Sequence, residues 1–198
     1  MQPILVAYAS MEGQTRKIAE FIAERLRIRG HRVDLVDTAQ RQAVEAVTPV
    51  YLGSILGASV HQQKHPTPLL HFVKRNHAWL GAAPCAIFSV SLAAALDDID
   101  SRIEAQRALD ELLDACELRP VSTSCVAGAL KYTQYDYFKR IMMRMIARQR
   151  GQSTDTASDH EYTNWSDVEA FVDEFLAAAG IPVPAPTAQS GVTQWVHL

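Results

Sequence analysis

Residues 4–20 read ILVAYASMEGQTRKIAE, and the change of pattern inside them decides the fold. Ile4 to Ala9 is an uninterrupted apolar run rich in aliphatic side chains, as expected of a strand buried on both faces. The run breaks at Ser10 and turns on Gly13. From Thr15 to Gly30 the apolar residues Ile18, Ala19, Ile22 and Leu26 recur at helical spacing. The strand therefore runs through a short hydroxyl- and glycine-containing loop into a helix N-terminus, where unpaired N–H groups and a partial positive charge collect. Two readings of the loop stand: a turn capped by Ser or Thr, or an anion site. The stretch is neither G-x-x-x-x-G-K-[ST] nor G-x-G-x-x-G, which argues against a nucleoside triphosphate and a dinucleotide.

The same alternation continues outward. HRVDLVD reads as a second strand, VYLGSILGAS as a third, AAPCAIFSVSL as a fourth and PVSTSCVAGAL as a fifth. Residues 38–48 carry no clear period. Helices are expected over Pro66–Trp79, Ser101–Cys116 and Ser166–Ala179, the last capped by Thr163, Asn164 or Ser166. The acidic turn Asp97, Asp98, Asp100 reads as a solvated helix start. Strands alternating with helices imply an α/β fold: a parallel sheet covered on both faces, with right-handed crossovers. Ligands of such sheets bind beyond the carboxyl ends of the strands, where loops 9–15, 57–65 and 89–97 meet. The segment from Lys131 to Asn164 is too long for an ordinary loop. Residues 1–180 are expected to form the domain, with 131–163 as an insertion and 181–198 as an extended Pro-rich tail.

With 198 residues, 48% of them hydrophobic and a net charge of −3, the chain suits one globular domain with no global pull toward nucleic acid. Cys85, Cys116 and Cys125 read as reduced, buried thiols. The N-terminus has no basic signal region, and no run approaches the roughly 18 apolar residues of a membrane span. The expected location is cytoplasmic, at most peripheral on the inner face of the cell membrane. Residues 131–150 carry six basic side chains against Asp136 alone. There Arg140, Arg144 and Arg148 repeat at i,i+4, and Phe138, Ile141, Met142, Met145 and Ile146 share another face. Two readings fit: a helix lying in a membrane interface, or a surface helix packed on the domain. A zinc site from His61, His65, His71 and His77 is not expected, because Pro66 disfavours helix at His65 and no supporting carboxylate lies nearby.

YASMEGQTRKIAEFIAERL resembles the phosphate loop of flavodoxins. In order, GASVHQQKHPTPLLHFVKRNH, FSVSLA, CVAGALKY and TDT…YTNW resemble motifs of the flavodoxin-fold, menaquinone-dependent protoporphyrinogen oxidases, over roughly residues 3–178. The resemblance implies a flavodoxin-like three-layer sandwich with strand order 2-1-3-4-5, a long insertion near strand five, and FMN as cofactor. It implies FMN contacts from Ser10, Met11, Glu12, Gly13, Gln14 and Thr15, with backbone amides of Ser59, Val60 and His61 and of Ser89, Val90, Ser91 and Leu92 at the ring's polar edge. It also implies a porphyrinogen-like substrate in heme biosynthesis and a menaquinone or ubiquinone acceptor. Membrane contact through 131–150 and a homo-oligomer are compatible with it.

By inspection, GASVHQQKHP and SVSLAAALDD contain no Phe, Tyr or Trp, so no aromatic from either loop would cover a flavin ring. An uncovered ring is open to substrate, which favours an enzyme over a flavodoxin-type electron carrier. An NAD(P)H-dependent quinone or flavin reductase is the other alternative, without a visible second nucleotide motif. His61 is the candidate proton donor, set against an ordinary loop histidine.

Overall fold

The computed structural model describes residues 2–45, 47, 50–60, 65–130 and 160–184. His61, the basic stretch 131–150 and the tail from 185 onward lie outside the described residues. The chain runs β1 (Ile4–Ala9), α1 (Gln14–Ile28), β2 (Val33–Asp37), α2 (Arg41–Glu45), β3 (Gly53–Ser59), α3 (Thr67–Leu80), β4 (Cys85–Ser91), α4 (Ile99–Cys116) and β5 (Ser122–Ala127). Two short strands, β6 (Ala129–Leu130) and β7 (His160–Glu161), and a last described helix, α5 (Trp165–Ala178), follow.

The five long strands form one parallel sheet in the order β2-β1-β3-β4-β5. Every residue of β1 is buried, because a central parallel strand has helices over both faces. Ile4, Val6 and Tyr8 join Ile18, Ile22, Phe171 and Phe175 under α1 and α5. Leu5, Ala7 and Ala9 join Leu69, Phe72, Leu109 and Leu112 under α3 and α4. Burying each such aliphatic or Phe side chain contributes about 1.5–3 kcal/mol. The strand order reverses at β1, so the loops after β1 and β3 leave in different directions and open a crevice between them.

Several boundaries differ from expectation for identifiable reasons. Helix α4 starts at Ile99, not Ser101, because the Asp98 carboxylate caps it, accepting from Ser101 N–H at 3.0 Å and the Ser101 hydroxyl at 2.7 Å. Asn164 caps α5, its Oδ1 accepting from Ser166 N–H at 3.1 Å, while Thr163 is used elsewhere. The start of the expected tail belongs to the domain: Ile181 is buried against the α1/α5 side of the sheet. Arg29 ties α1 to α5 by donating to Asp173 at 2.5 and 2.8 Å and to Glu169 at 3.3 Å. Burial pushes the thiols of Cys85 and Cys116 up to about 11 and about 12, so neither is a thiolate at neutral pH. Among the described residues no helix is long and apolar enough to cross a membrane.

His31, at the turn from α1 into β2, is buried with neither ring nitrogen bonded, and burial lowers its pKa below 6.5. As pH falls through about 6.5, the unfolded chain takes a proton there and the native chain does not, so native stability falls across that window. His31→Leu should flatten this acid-side loss in urea titrations between pH 7 and 5. At pH 7 it should be neutral or stabilising, since it removes two orphaned polar atoms.

Candidate functional site

A crevice open to solvent lies at the carboxyl edge of the sheet. Its walls come from four strand ends: Ser10, Met11, Glu12, Gln14 and Thr15 after β1; Ser59 and Val60 after β3; Val90, Ser91 and Leu92 at the end of β4; Gly128 and Ala129 after β5.

The first loop closes on itself. The Ser10 hydroxyl accepts from Gly13 N–H at 2.9 Å, and Gly13 adopts φ 94°, ψ −16°, a left-handed conformation that glycine enters without steric cost. That turn launches α1 one residue earlier than expected. No side chain caps the helix and no acid sits in its first turn, so its N–H groups keep their capacity for an outside acceptor. Thr15 is 1% exposed and its hydroxyl has no partner, although it belongs to the crevice wall. Ser59 Oγ is orphaned in the same way. Buried hydroxyls are normally bonded, so these two, beside an uncapped helix start, fit the oxygen-rich phosphate and ribityl chain of FMN. The cations of α1 nearest this turn are committed elsewhere: Arg16 to Glu20 at 2.7 Å and Lys17 to Glu161. The hydrogen bond from Lys17, before any other cause, holds the Glu161 carboxyl below the usual range. Among the described residues, an anion at this turn meets amides and hydroxyls, without a lysine.

The wall after β5 is tied to α1 through one threonine. The Thr163 hydroxyl donates to Ala127 O at 2.7 Å and accepts from Gln14 Nε2 at 2.8 Å. Gly128 N–H donates to Ser91 O at 3.0 Å, and Gly128 O accepts from Tyr162 N–H at 3.1 Å. Sequence reasoning missed Gly128 and Ala129. The signal available was positional: they follow the fifth strand at the same sheet edge.

Of the described residues expected at the site, all line the crevice except Gly13 and Ser89. Gly13 forms the turn. Ser89 sits inside β4, opposite Ala58 and Cys125, and is 2% exposed; strand alternation aims it at the α3/α4 layer and not at the crevice. His61 lies outside the described residues. The expected free amide of Val60 is instead taken by Val90 O at 2.8 Å. His65 donates Nε2–H to Ala108 O at 2.7 Å and His77 donates to Glu117 O at 3.0 Å, so both rings are committed to backbone. Among the described residues no cluster of three or more His, Cys, Asp or Glu is placed to hold a metal ion. No described residue of the crevice wall is aromatic.

Comparison with known proteins places this architecture. The chain is 29% identical over 170 residues to protoporphyrinogen IX dehydrogenase (quinone) of Escherichia coli strain K12, covering 86% of this chain and 92% of that protein. It is 29% identical over 188 residues to the Leishmania major protein of the same name, covering 94% of this chain and 80% of the relative. The crystal structure of oxidised flavodoxin 1 from Bacillus cereus superposes with a TM-score of 0.51 at 18% identity, covering 88% of this chain and 97% of that one. The sequence model of the Flavodoxin domain matches residues 5–157. The chain therefore belongs to the flavodoxin domain family, and its cofactor is FMN.

Proposed function

We propose that this flavin oxidoreductase oxidises protoporphyrinogen IX and passes the electrons to a membrane quinone, menaquinone or ubiquinone. The observation that carries the reading is the crevice itself: it is open, and none of its described wall residues is aromatic. The names of the two relatives, each matched over most of its length, support the substrate and the acceptor. Bound FMN supplies hydride-accepting chemistry in successive rounds. The chain's own residues bind and orient. The α1 amides and the Thr15 hydroxyl hold the phosphate, as Ser10 and Gly13 shape the turn around it. Val60, Val90 and Leu92 give the ring an apolar wall. The Gln14–Thr163–Ala127 bridge keeps the β5 wall in place. His65, committed to Ala108, is not a free proton carrier in this arrangement; the proton donor we propose is His61. Peripheral membrane contact through 131–150 is part of this reading, supported by the basic and apolar spacing of that stretch.

Steady-state turnover tests this. Protoporphyrinogen oxidation by the FMN-loaded protein should accelerate when a menaquinone or ubiquinone analogue is added, and should ignore NAD(P)H. A reductase would show the reverse dependence on nicotinamide. An electron carrier would show no sustained turnover with either quinone.

A further inference from the structure

Two walls of the crevice come from distant parts of the chain: the turn that launches α1, and Gly128 and Ala129 after β5. Residues 161–163 touch both. On one side they run antiparallel to 127–129 and hold them residue by residue. Glu161 pairs with Ala129 in the β6–β7 ladder, Tyr162 N–H donates to Gly128 O at 3.1 Å, and the Thr163 hydroxyl donates to Ala127 O at 2.7 Å. On the other side they meet Gln14, Lys17 and Phe21, which share one face of α1 at i, i+3 and i+7. Gln14 Nε2 donates to Thr163 Oγ1 at 2.8 Å, Lys17 Nζ donates to Glu161 Oε2, and the Phe21 ring lies 4.8 Å from that of Trp165. Trp165 Nε1–H donates to the second Glu161 oxygen at 3.0 Å, and Lys17 Nζ stands 5.6 Å from the Trp165 ring centroid. Both oxygens of Glu161 are therefore engaged, although the residue is not part of the crevice wall.

We propose that Glu161 is a positioning residue for the cofactor: held by Lys17 and Trp165, it sets the spacing between the α1 turn and the wall after β5. The inference rests on the FMN phosphate lying at the α1 turn. A ligand that reaches two anchors gains from the second only when their spacing matches its own length, so a small shift of one wall weakens it. A ligand that reaches one anchor is indifferent to that spacing. The Lys17–Glu161 pair is partly exposed on both sides, so its contribution to global stability is small. Its effect is on placement.

The test titrates the full chain, wild type and with Glu161→Gln or Lys17→Met, with FMN, with riboflavin and with inorganic phosphate. The wild type should bind FMN more tightly than riboflavin. Each substitution should weaken FMN about tenfold while riboflavin and inorganic phosphate change by less than about twofold. The double variant should lose no more than either single one, because both break the same contact. The urea midpoint of the unliganded chain should barely move. Equal weakening of all three ligands would reduce Glu161 to a structural role, and a loss of inorganic phosphate in K17M that matches the loss of FMN would place Lys17 on the anion itself; either result overturns the proposal. Tighter FMN binding by E161Q would overturn it too, by showing that Glu161 withholds Lys17 from the phosphate. A wild-type preference for FMN that both variants keep would refute the positioning role alone. Equal wild-type binding of FMN and riboflavin would refute the phosphate assignment, and this inference with it.

Discussion

Gly13→Val should give a folded protein that no longer retains FMN. At φ 94° a β-branched residue is strained by about 1–3 kcal/mol, and the chain can relieve this only by rotating the turn. Rotation breaks the Ser10 Oγ to Gly13 N–H contact and re-aims the first amides of α1, the groups that would face the phosphate. FMN affinity should fall by about 10- to 100-fold, roughly 1.4–2.8 kcal/mol. The apo domain should keep its far-UV spectrum, because α1 packs through Ile18, Ile22 and Leu26 further along. Thr15→Val sharpens the test. It preserves shape and removes a hydroxyl that is buried and unbonded, so apo stability should not drop while FMN binding weakens about tenfold. Unchanged FMN affinity in both variants would refute the phosphate assignment.

Gly57→Ala should be the most destabilising single-methyl change in the sheet. Gly57 lies opposite Phe88 in the β3–β4 ladder, and a Cβ there would stand 2.0 Å from Phe88 Cζ. The ring cannot retreat: Phe88 is fully buried and meets Phe171 edge-on at 6.3 Å between centroids. Overpacking of this kind costs about 3 kcal/mol or more, which for a chain of this size lowers Tm by roughly 6–12 °C. The strain also moves the end of β3, which carries Ser59 and Val60 into the crevice, so FMN retention should fall with stability. Adding Phe88→Leu should restore part of the loss; a double-mutant cycle with no coupling would show that the clash is relieved elsewhere.

The parts of the fold legible in the sequence are those where burial writes a period. β1 is apolar throughout because helices cover both its faces, and α1 shows one stripe because only one of its faces is covered. The five-residue helix α2 buries no side chain fully and packs on the core only through Ala43 and Val44, too short a contact to write a period into residues 38–48. The start of α4 was obscured by Ile99, an apolar residue that is 75% exposed and does not mark a buried face. At the site, the hydroxyl and glycine residues of the first loop announced themselves chemically. Gly128 and Ala129 did not, since they contribute backbone and shape. Thr163 looked like a helix cap, and its actual role, bridging Ala127 and Gln14, exists only once α1 and α5 lie side by side. Ser89 lies within β4, one residue short of the wall that Val90 and Ser91 form.

The most direct test of the whole account is an anaerobic titration of the FMN-loaded protein with protoporphyrinogen IX, followed by flavin absorbance. The account predicts that the flavin bleaches without NAD(P)H and recovers its colour when a menaquinone or ubiquinone analogue is added. A flavin that stays oxidised in excess protoporphyrinogen, yet bleaches with NAD(P)H, would contradict it.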